Sequence, residues 1–76
     1  MEVAVMPVPT IGDLLRKYRE EAGYTQTEFA DLLSVGLQTV HRYETGVRVP
    51  PWDYVVKVAR ALDKPISAFD PESAQG

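Results

Sequence analysis

The segment from residue 26 to 45, QTEFADLLSVGLQTVHRYET, constrains the fold more than any other part of this chain. Apolar residues recur in it at helical spacing in two runs, first Phe29, Ala30 and Leu33 and then Val40 and Tyr43. Between the runs, Ser34, Val35 and Gly36 break the helical pattern, and Gly36 is free to adopt a cap conformation. The segment therefore predicts two helices joined by a tight turn, with one face of the second helix left exposed.

The remainder of the chain predicts three more helices. Thr10 with Asp13, and Thr25 with Glu28, have the spacing of capping boxes, which open helices. The predicted helices span residues 11–22, 26–33 and 37–45, followed by a fourth with Pro51 in its first turn and a short fifth that starts at Pro65. Because this region has no strand-like alternation, we predict an all-α fold of five helices.

Composition limits the chain to one small domain. Its 76 residues include no Cys and one His, so helix packing or self-association must supply the stability that disulfides or zinc often give at this size. We predict an N-terminal arm over residues 1–9, a helical domain over 10–70 and a polar tail over 71–76. Alternating valines in the arm fit either an edge strand, a dimer-swapped arm or a frayed end.

Membrane and catalytic functions are not indicated. The first residues lack the basic start of a signal peptide, and no apolar run approaches the roughly 18 residues that span a bilayer, so we expect a soluble, cytoplasmic protein. His41 and Glu44 would supply two metal ligands at most, whereas catalytic zinc uses about three. Without Cys or a glycine-rich phosphate loop, we expect no enzyme activity, no metal and no cofactor.

The block TQTEFADLLSVGLQTVHRYETGVRVPP resembles the DNA-binding domain of the phage repressor and Cro family of helix-turn-helix regulators, also called the Xre type. The residues at that family's spacing are Thr25, Gln26, Phe29, Ala30, Leu33, Val40, Tyr43, Glu44, Gly46 and Pro50. The resemblance runs from Ile11 to Phe69 and implies a compact lambda-repressor-like domain that binds double-stranded DNA to regulate transcription, typically as a repressor. The turn departs from the family, which usually has Gly where Ser34 stands and a Ser or Thr cap where Gly36 stands.

The predicted base-reading residues lie on the outward face of the third helix: Leu37, Gln38 and His41. A helix in the major groove brings its N-terminal residues nearest to the base edges. The carboxamide of Gln38 matches N6 and N7 of adenine in a bidentate contact worth about 1–3 kcal/mol. Leu37 fits a thymine methyl group or a partner protein, and His41 fits a base edge or a phosphate.

The predicted phosphate-binding residues are Gln26, Thr39, Arg42, Thr45 and Arg48. Gln26 stands at a helix start, where free backbone N–H groups and the helix dipole favour an anion, and the resemblance implies that its side chain binds a phosphate oxygen. Arg42 fits equally well a surface ion pair with a nearby carboxylate.

Glu44 is unexpected on a DNA-binding surface because its carboxylate repels phosphate. The resemblance implies that it forms a structural ion pair with Arg19, partly buried and bidentate, which holds the third helix against the first. Trp52 is predicted to cover the core over Val55 and Ile66, rather than to bind a ligand.

The net charge of −3, from 11 acidic and 8 basic residues, is unusual for a nucleic-acid binder. Salt confines the effect of each surface charge to about 8 Å, so the local distribution matters more than the total. Arg42 and Arg48 flank the predicted reading surface, whereas acidic residues concentrate on the first two helices. We therefore expect modest affinity with weak non-specific binding.

Two functions compete at this point. The first is sequence-specific regulation by a homodimer on a palindromic operator, because one reading helix covers too few base pairs for specificity in a genome. The second is an antitoxin or co-regulator module that acts through protein contacts at Leu32, Leu37 or the chain ends. The fifth helix and the N-terminal arm are the candidate dimer surfaces.

Overall fold

The computed structural model describes residues 9–71, which contain four α-helices and one 3₁₀ turn. These elements are α1 (Ile11–Glu21), α2 (Gln26–Leu33), α3 (Leu37–Thr45), α4 (Trp52–Ala61) and the 3₁₀ turn (Ile66–Phe69). The part of the chain described has no strand, in agreement with the predicted all-α class. Most of the predicted N-terminal arm, at residues 1–8, and most of the polar tail, at 72–76, lie outside the described residues.

The predicted fifth helix is a single 3₁₀ turn, so the structure has four α-helices rather than five. A residue before proline is pushed out of the helical region, and Asp70 before Pro71 is indeed extended, at φ −88° and ψ 116°. Only the four residues of the turn then lie between Pro65 and Asp70, which is too short a stretch for a regular α-helix.

Both predicted capping boxes are formed. Thr10 Oγ1 accepts a hydrogen bond from the Asp13 N–H at 3.1 Å, and Asp13 Oδ2 accepts one from the Thr10 N–H at 3.0 Å. Thr25 and Glu28 make the same reciprocal pair at 3.1 and 2.9 Å. Because each box satisfies two N–H groups that a helix start leaves unpaired, these four residues fix where α1 and α2 begin.

The four α-helices and the 3₁₀ turn enclose one apolar core. Its largest fully buried side chains are Phe29, Phe69, Leu15, Val40, Val55 and Val58. Trp52 does not cover this core as predicted, and 63% of its surface is exposed. Val55 and Phe69 are buried, and Trp52 lines an apolar groove of about 420 Å³ beside Ile66.

The crossing of α1 and α3 is set by Gly12. A Cβ on this residue would lie 2.6 Å from the carbonyl oxygen of Tyr43 and 2.9 Å from that of Glu44. Such distances are impossible without a shift of backbone, so only glycine allows the two helices to approach this closely.

In the turn between α2 and α3, a serine stands at the left-handed position that suits glycine, and a glycine stands at the cap position that suits serine. Ser34 is the C-cap of α2 in the left-handed conformation, φ 57° and ψ 44°, which glycine adopts at lower cost. Gly36 is the N-cap of α3 at φ −75° and has no side chain to bond the free N–H groups of the helix start. Val35 packs against the core beneath this corner, and its N–H donates to the Ala30 carbonyl at 2.9 Å.

No helix within residues 9–71 has both the length and the apolar character that crossing a membrane requires.

Candidate nucleic-acid interface

The two faces of α3 differ in burial as its sequence predicts. Val40 and Glu44 point inward, at 0% and 6% exposure, because the helical spacing puts them on the side that packs against α1 and α2. The opposite face exposes Leu37, Gln38, His41 and Arg42. The structure thus places all three predicted base readers on one free surface, and their contact with bases stays a prediction.

Gln38 and Arg42 are bonded to each other on this exposed face. A terminal nitrogen of the Arg42 guanidinium donates to Gln38 Oε1 at 3.1 Å. The sequence analysis gave a phosphate or a carboxylate as the partner of Arg42, although the i, i+4 spacing was a signal for this amide contact. The bond uses one of the two lone pairs of Gln38 Oε1 and leaves the Nε2 donor without an acceptor among residues 9–71.

A cationic depression of about 260 Å³ lies beside this pair, lined by Thr39, Arg42, Tyr43 and Arg48. It brings together three of the predicted phosphate-binding residues, and it adds Tyr43, which the sequence had assigned only to packing. The N–H of Arg48 donates to the Arg42 carbonyl at 3.2 Å, after Gly46 has turned the chain at φ 83°. The backbone, rather than a side-chain contact, therefore positions Arg48 at the depression.

Thr45, like Gln26, is a predicted phosphate contact that does not line this depression. Its hydroxyl donates to the His41 carbonyl at 2.9 Å and so points back along its own helix. The hydroxyl proton is therefore already used, and Thr45 can donate to a phosphate only after its bond to the His41 carbonyl breaks.

Arg19 and Glu44, which were expected to pair, form a buried bidentate ion pair. The Arg19 Nε and a terminal nitrogen donate to the two carboxylate oxygens at 2.7 and 3.0 Å, and the other terminal nitrogen donates to the Tyr24 carbonyl at 2.6 Å. The hydrogen bond to Glu44 raises the pKa of Arg19, although burial acts in the opposite direction. The carboxylate that would repel phosphate is thus neutralised inside the fold.

Gln26 joins the same cluster. Its Nε2 donates to Glu44 Oε1 at 3.1 Å, so one N–H of the predicted phosphate-binding amide is directed inward. A carboxamide nitrogen has two N–H groups, and the second one stays available to an anion at the start of α2. Glu44 therefore connects three helices, a link that sequence reasoning missed because it identified only the pair with Arg19.

The local charge of α3 is positive despite the acidic total. Glu44 is the one carboxylate in residues 37–45, and Arg19 compensates it. The exposed side of α3 consequently presents Arg42 and no carboxylate to a ligand.

Residues 9–71 contain no group of three His, Cys, Asp or Glu side chains placed to hold an ion. Glu44 is bonded to Arg19 in the interior while His41 is exposed, so these two do not face a common ligand.

Comparisons with known proteins agree with this geometry. A family model described as a helix-turn-helix domain matches residues 10–66. An HTH-type transcriptional regulatory protein of Pyrococcus furiosus is 36% identical over 55 residues, which cover 72% of this chain and 18% of the relative. A similar protein of Pyrococcus horikoshii is 33% identical with the same coverage.

The HTH-type transcriptional regulator ImmR of Bacillus subtilis is 36% identical over 50 residues, covering 66% of this chain and 39% of the relative. The chain thus spans between about a fifth and two fifths of the length of these curated relatives.

Proposed function

The chain belongs to the helix-turn-helix domain family, and from that premise we propose that it binds double-stranded DNA as a transcriptional regulator. The observation that carries the proposal is the exposed face of α3, where polar and apolar side chains stand beside a cationic depression while the one carboxylate of the helix is buried. The relatives named as transcriptional regulators support the same function.

In the proposed complex, α3 lies in the major groove with its N-terminal end nearest to the bases. Gln38 contacts a base edge directly, Leu37 packs on a thymine methyl group and His41 lies against a base or a phosphate. All three side chains are exposed, so none needs a rearrangement of the core to reach DNA.

Phosphates on either side of the groove complete the site. Arg42, Arg48 and Thr39 hold one phosphate at the depression. Thr45, at the end of α3, joins them once its hydroxyl exchanges the His41 carbonyl for the phosphate. Gln26 binds another with the N–H that Glu44 leaves available. These contacts fix the register of α3, and the base contacts supply the specificity.

We further propose the phage repressor and Cro type, with a homodimer that represses transcription from a palindromic operator in the cytoplasm. A single α3 contacts only a few base pairs, and two-fold symmetry doubles the readout at half-sites about 34 Å apart.

Selection from a pool of random duplexes tests the function because it requires no known operator sequence. Repeated rounds of capture should enrich one sequence, in two inverted copies if the dimer forms on DNA. Folded protein that enriches no sequence at low salt, where phosphate contacts are strongest, would reject the proposal.

A protein-binding module is the second candidate, favoured by two exposed leucines. Leu32 and Leu37 are each 47% exposed, so packing within the described residues leaves about half of each side chain uncovered. If a protein partner is the target, Leu37→Ser should abolish its capture, and the selected duplexes should contain no common sequence.

A further inference from the structure

The hydrogen bond between Arg42 and Gln38 has a consequence for which base the proposed DNA site selects. We propose that Arg42 acts as a specificity-determining residue, holding Gln38 Oε1 so that the Nε2 donor faces the groove and guanine is preferred to adenine. This inference rests on the proposed function and revises the adenine contact that the sequence suggested.

The donors and acceptors of the base edges decide the preference. In the major groove guanine presents two acceptors, N7 and O6, whereas adenine presents the N7 acceptor beside the N6 donor. Bidentate pairing of Gln38 with adenine needs both its oxygen and its nitrogen. Arg42 uses one of the two lone pairs of this oxygen and turns the oxygen toward the guanidinium. The Nε2 group, with its two N–H donors, then faces the groove and matches the two acceptors of guanine.

Three features of the site favour retention of the bond on DNA. Gln38 and Arg42 are one helical turn apart, so the pair forms without bringing distant elements together. The donor is charged, which makes the bond stronger than one between neutral groups, and exclusion of water in the groove strengthens it further. The exposed side of α3 carries no carboxylate that would compete for the guanidinium.

Orientation of Gln38 does not prevent Arg42 from binding phosphate. A guanidinium has five N–H donors, and the contact with Gln38 is made by one terminal nitrogen. The same group lines the cationic depression, where its other donors reach an anion. Arg42 would then connect a backbone contact to a base contact.

Arg48 provides the matched control within the same depression. It carries the same charge and also lines this surface, but its contact with Arg42 is made by the backbone N–H and not by the side chain. Replacing its side chain therefore removes a phosphate partner while the Gln38 orientation is kept.

The experiment compares wild-type protein with Arg42→Met, Arg48→Met and Gln38→Ala on the duplex enriched from the random pool. The base pair read by Gln38 is the one at which Gln38→Ala loses preference, and all four bases are then tested there by fluorescence anisotropy. Wild type should prefer guanine to adenine by about 5- to 150-fold, the range expected for a well-made base contact. Arg42→Met should reverse that order, and Arg48→Met should weaken all four duplexes by a similar factor.

Circular dichroism establishes that each variant is folded. A wild-type preference for adenine would overturn the inference, as would Arg42→Met binding that is weaker by one factor on all four bases. So would a Gln38→Ala variant with every base preference intact. If wild type enriches no duplex, the proposed function itself fails, which is distinct from these outcomes.

Discussion

Two hydrogen-bonded side-chain pairs on opposite faces of α3 differ in burial and in sequence separation. Arg19 and Glu44 are 25 residues apart, and their side chains are 7% and 2% exposed. Gln38 and Arg42 are four residues apart and exposed. The first pair determines where α3 sits in the fold, whereas the second lies at the surface and leaves its remaining donors to water or a ligand. One helix thus has a fixed face for the protein and an adaptable face for recognition.

Breaking the buried ion pair on the fixed face of α3 should cause the largest loss of stability. Glu44→Ala leaves Arg19 charged and buried without its partner, and breaking such a pair costs about 3–5 kcal/mol of unfolding free energy. Urea denaturation followed by circular dichroism measures this loss.

The exposed ion pair on α1 is the control for that measurement. Arg16 lies 3.3 Å from Glu20 and is 62% exposed, so Arg16→Ala should change stability by about 0.5 kcal/mol or less. Similar losses in the two variants would contradict the claim that burial makes the Arg19–Glu44 pair more important for stability than an exposed ion pair.

The α1–α3 crossing should give the next largest effect. Gly12→Ala places a methyl group against two backbone carbonyls of α3, which must move apart at a cost of about 1–3 kcal/mol. Gly36→Ser also adds a Cβ, but there the nearest atom is Thr39 Oγ1 at 3.8 Å. Thermal unfolding should show a lower midpoint for the first variant only, and an unchanged midpoint for Gly12→Ala would show that the crossing is not tight.

Substitutions in the turn between α2 and α3 should raise stability, by less than the preceding substitutions lower it. Ser34→Gly relieves a left-handed serine, and Gly36→Ser supplies a side-chain cap for α3, so the double variant should gain about 0.5–1 kcal/mol. Urea midpoints measure the gain. Because neither residue lies on the reading face, base preference should stay as in wild type, and an altered preference would mean that the turn also determines recognition.

The phenol of Tyr54 should make the stability of the fold depend on pH in the alkaline range but not at neutral pH. Burial, and then the charge of Glu44, raise the pKa of this phenol in the folded protein, whereas the unfolded chain titrates near 10. Unfolding above that pH therefore releases a proton, so stability is fully present below about pH 10 and decreases as the pH rises. Tyr54→Phe should reduce this alkaline loss in urea titrations, and an identical loss in the variant would exclude Tyr54 as its source.

Much of the architecture could be predicted because its signals are local. The capping boxes at Thr10 and Thr25 and the periodic apolar residues place α1, α2 and α3, and the start of α4, within about one residue, as close as helix ends can be defined. The ion pair of Arg19 with Glu44 followed from the family resemblance rather than from spacing. Asp70 before Pro71 is a local signal against the fifth helix, and it outweighs the apolar residues that suggested one.

Other features depend on how distant elements meet. The role of Gly12 follows from the distance between two helix backbones, which spacing within one helix does not determine. The contact of Gln26 with Glu44 joins two helices in the same way. Trp52 was predicted to cover the core, but Val55 and Phe69 are buried while Trp52 itself is exposed. The bond between Gln38 and Arg42, in contrast, was visible in the i, i+4 spacing.

The central claim is that the outward face of α3 enters a DNA groove, and backbone amide NMR during titration with the selected duplex tests it most directly. The largest changes should fall on residues 37–42, with smaller ones at Gln26 and Arg48 and little change around Trp52 and Ile66. Signals of α3 that stay in place while those around Trp52 and Ile66 move would contradict the claim.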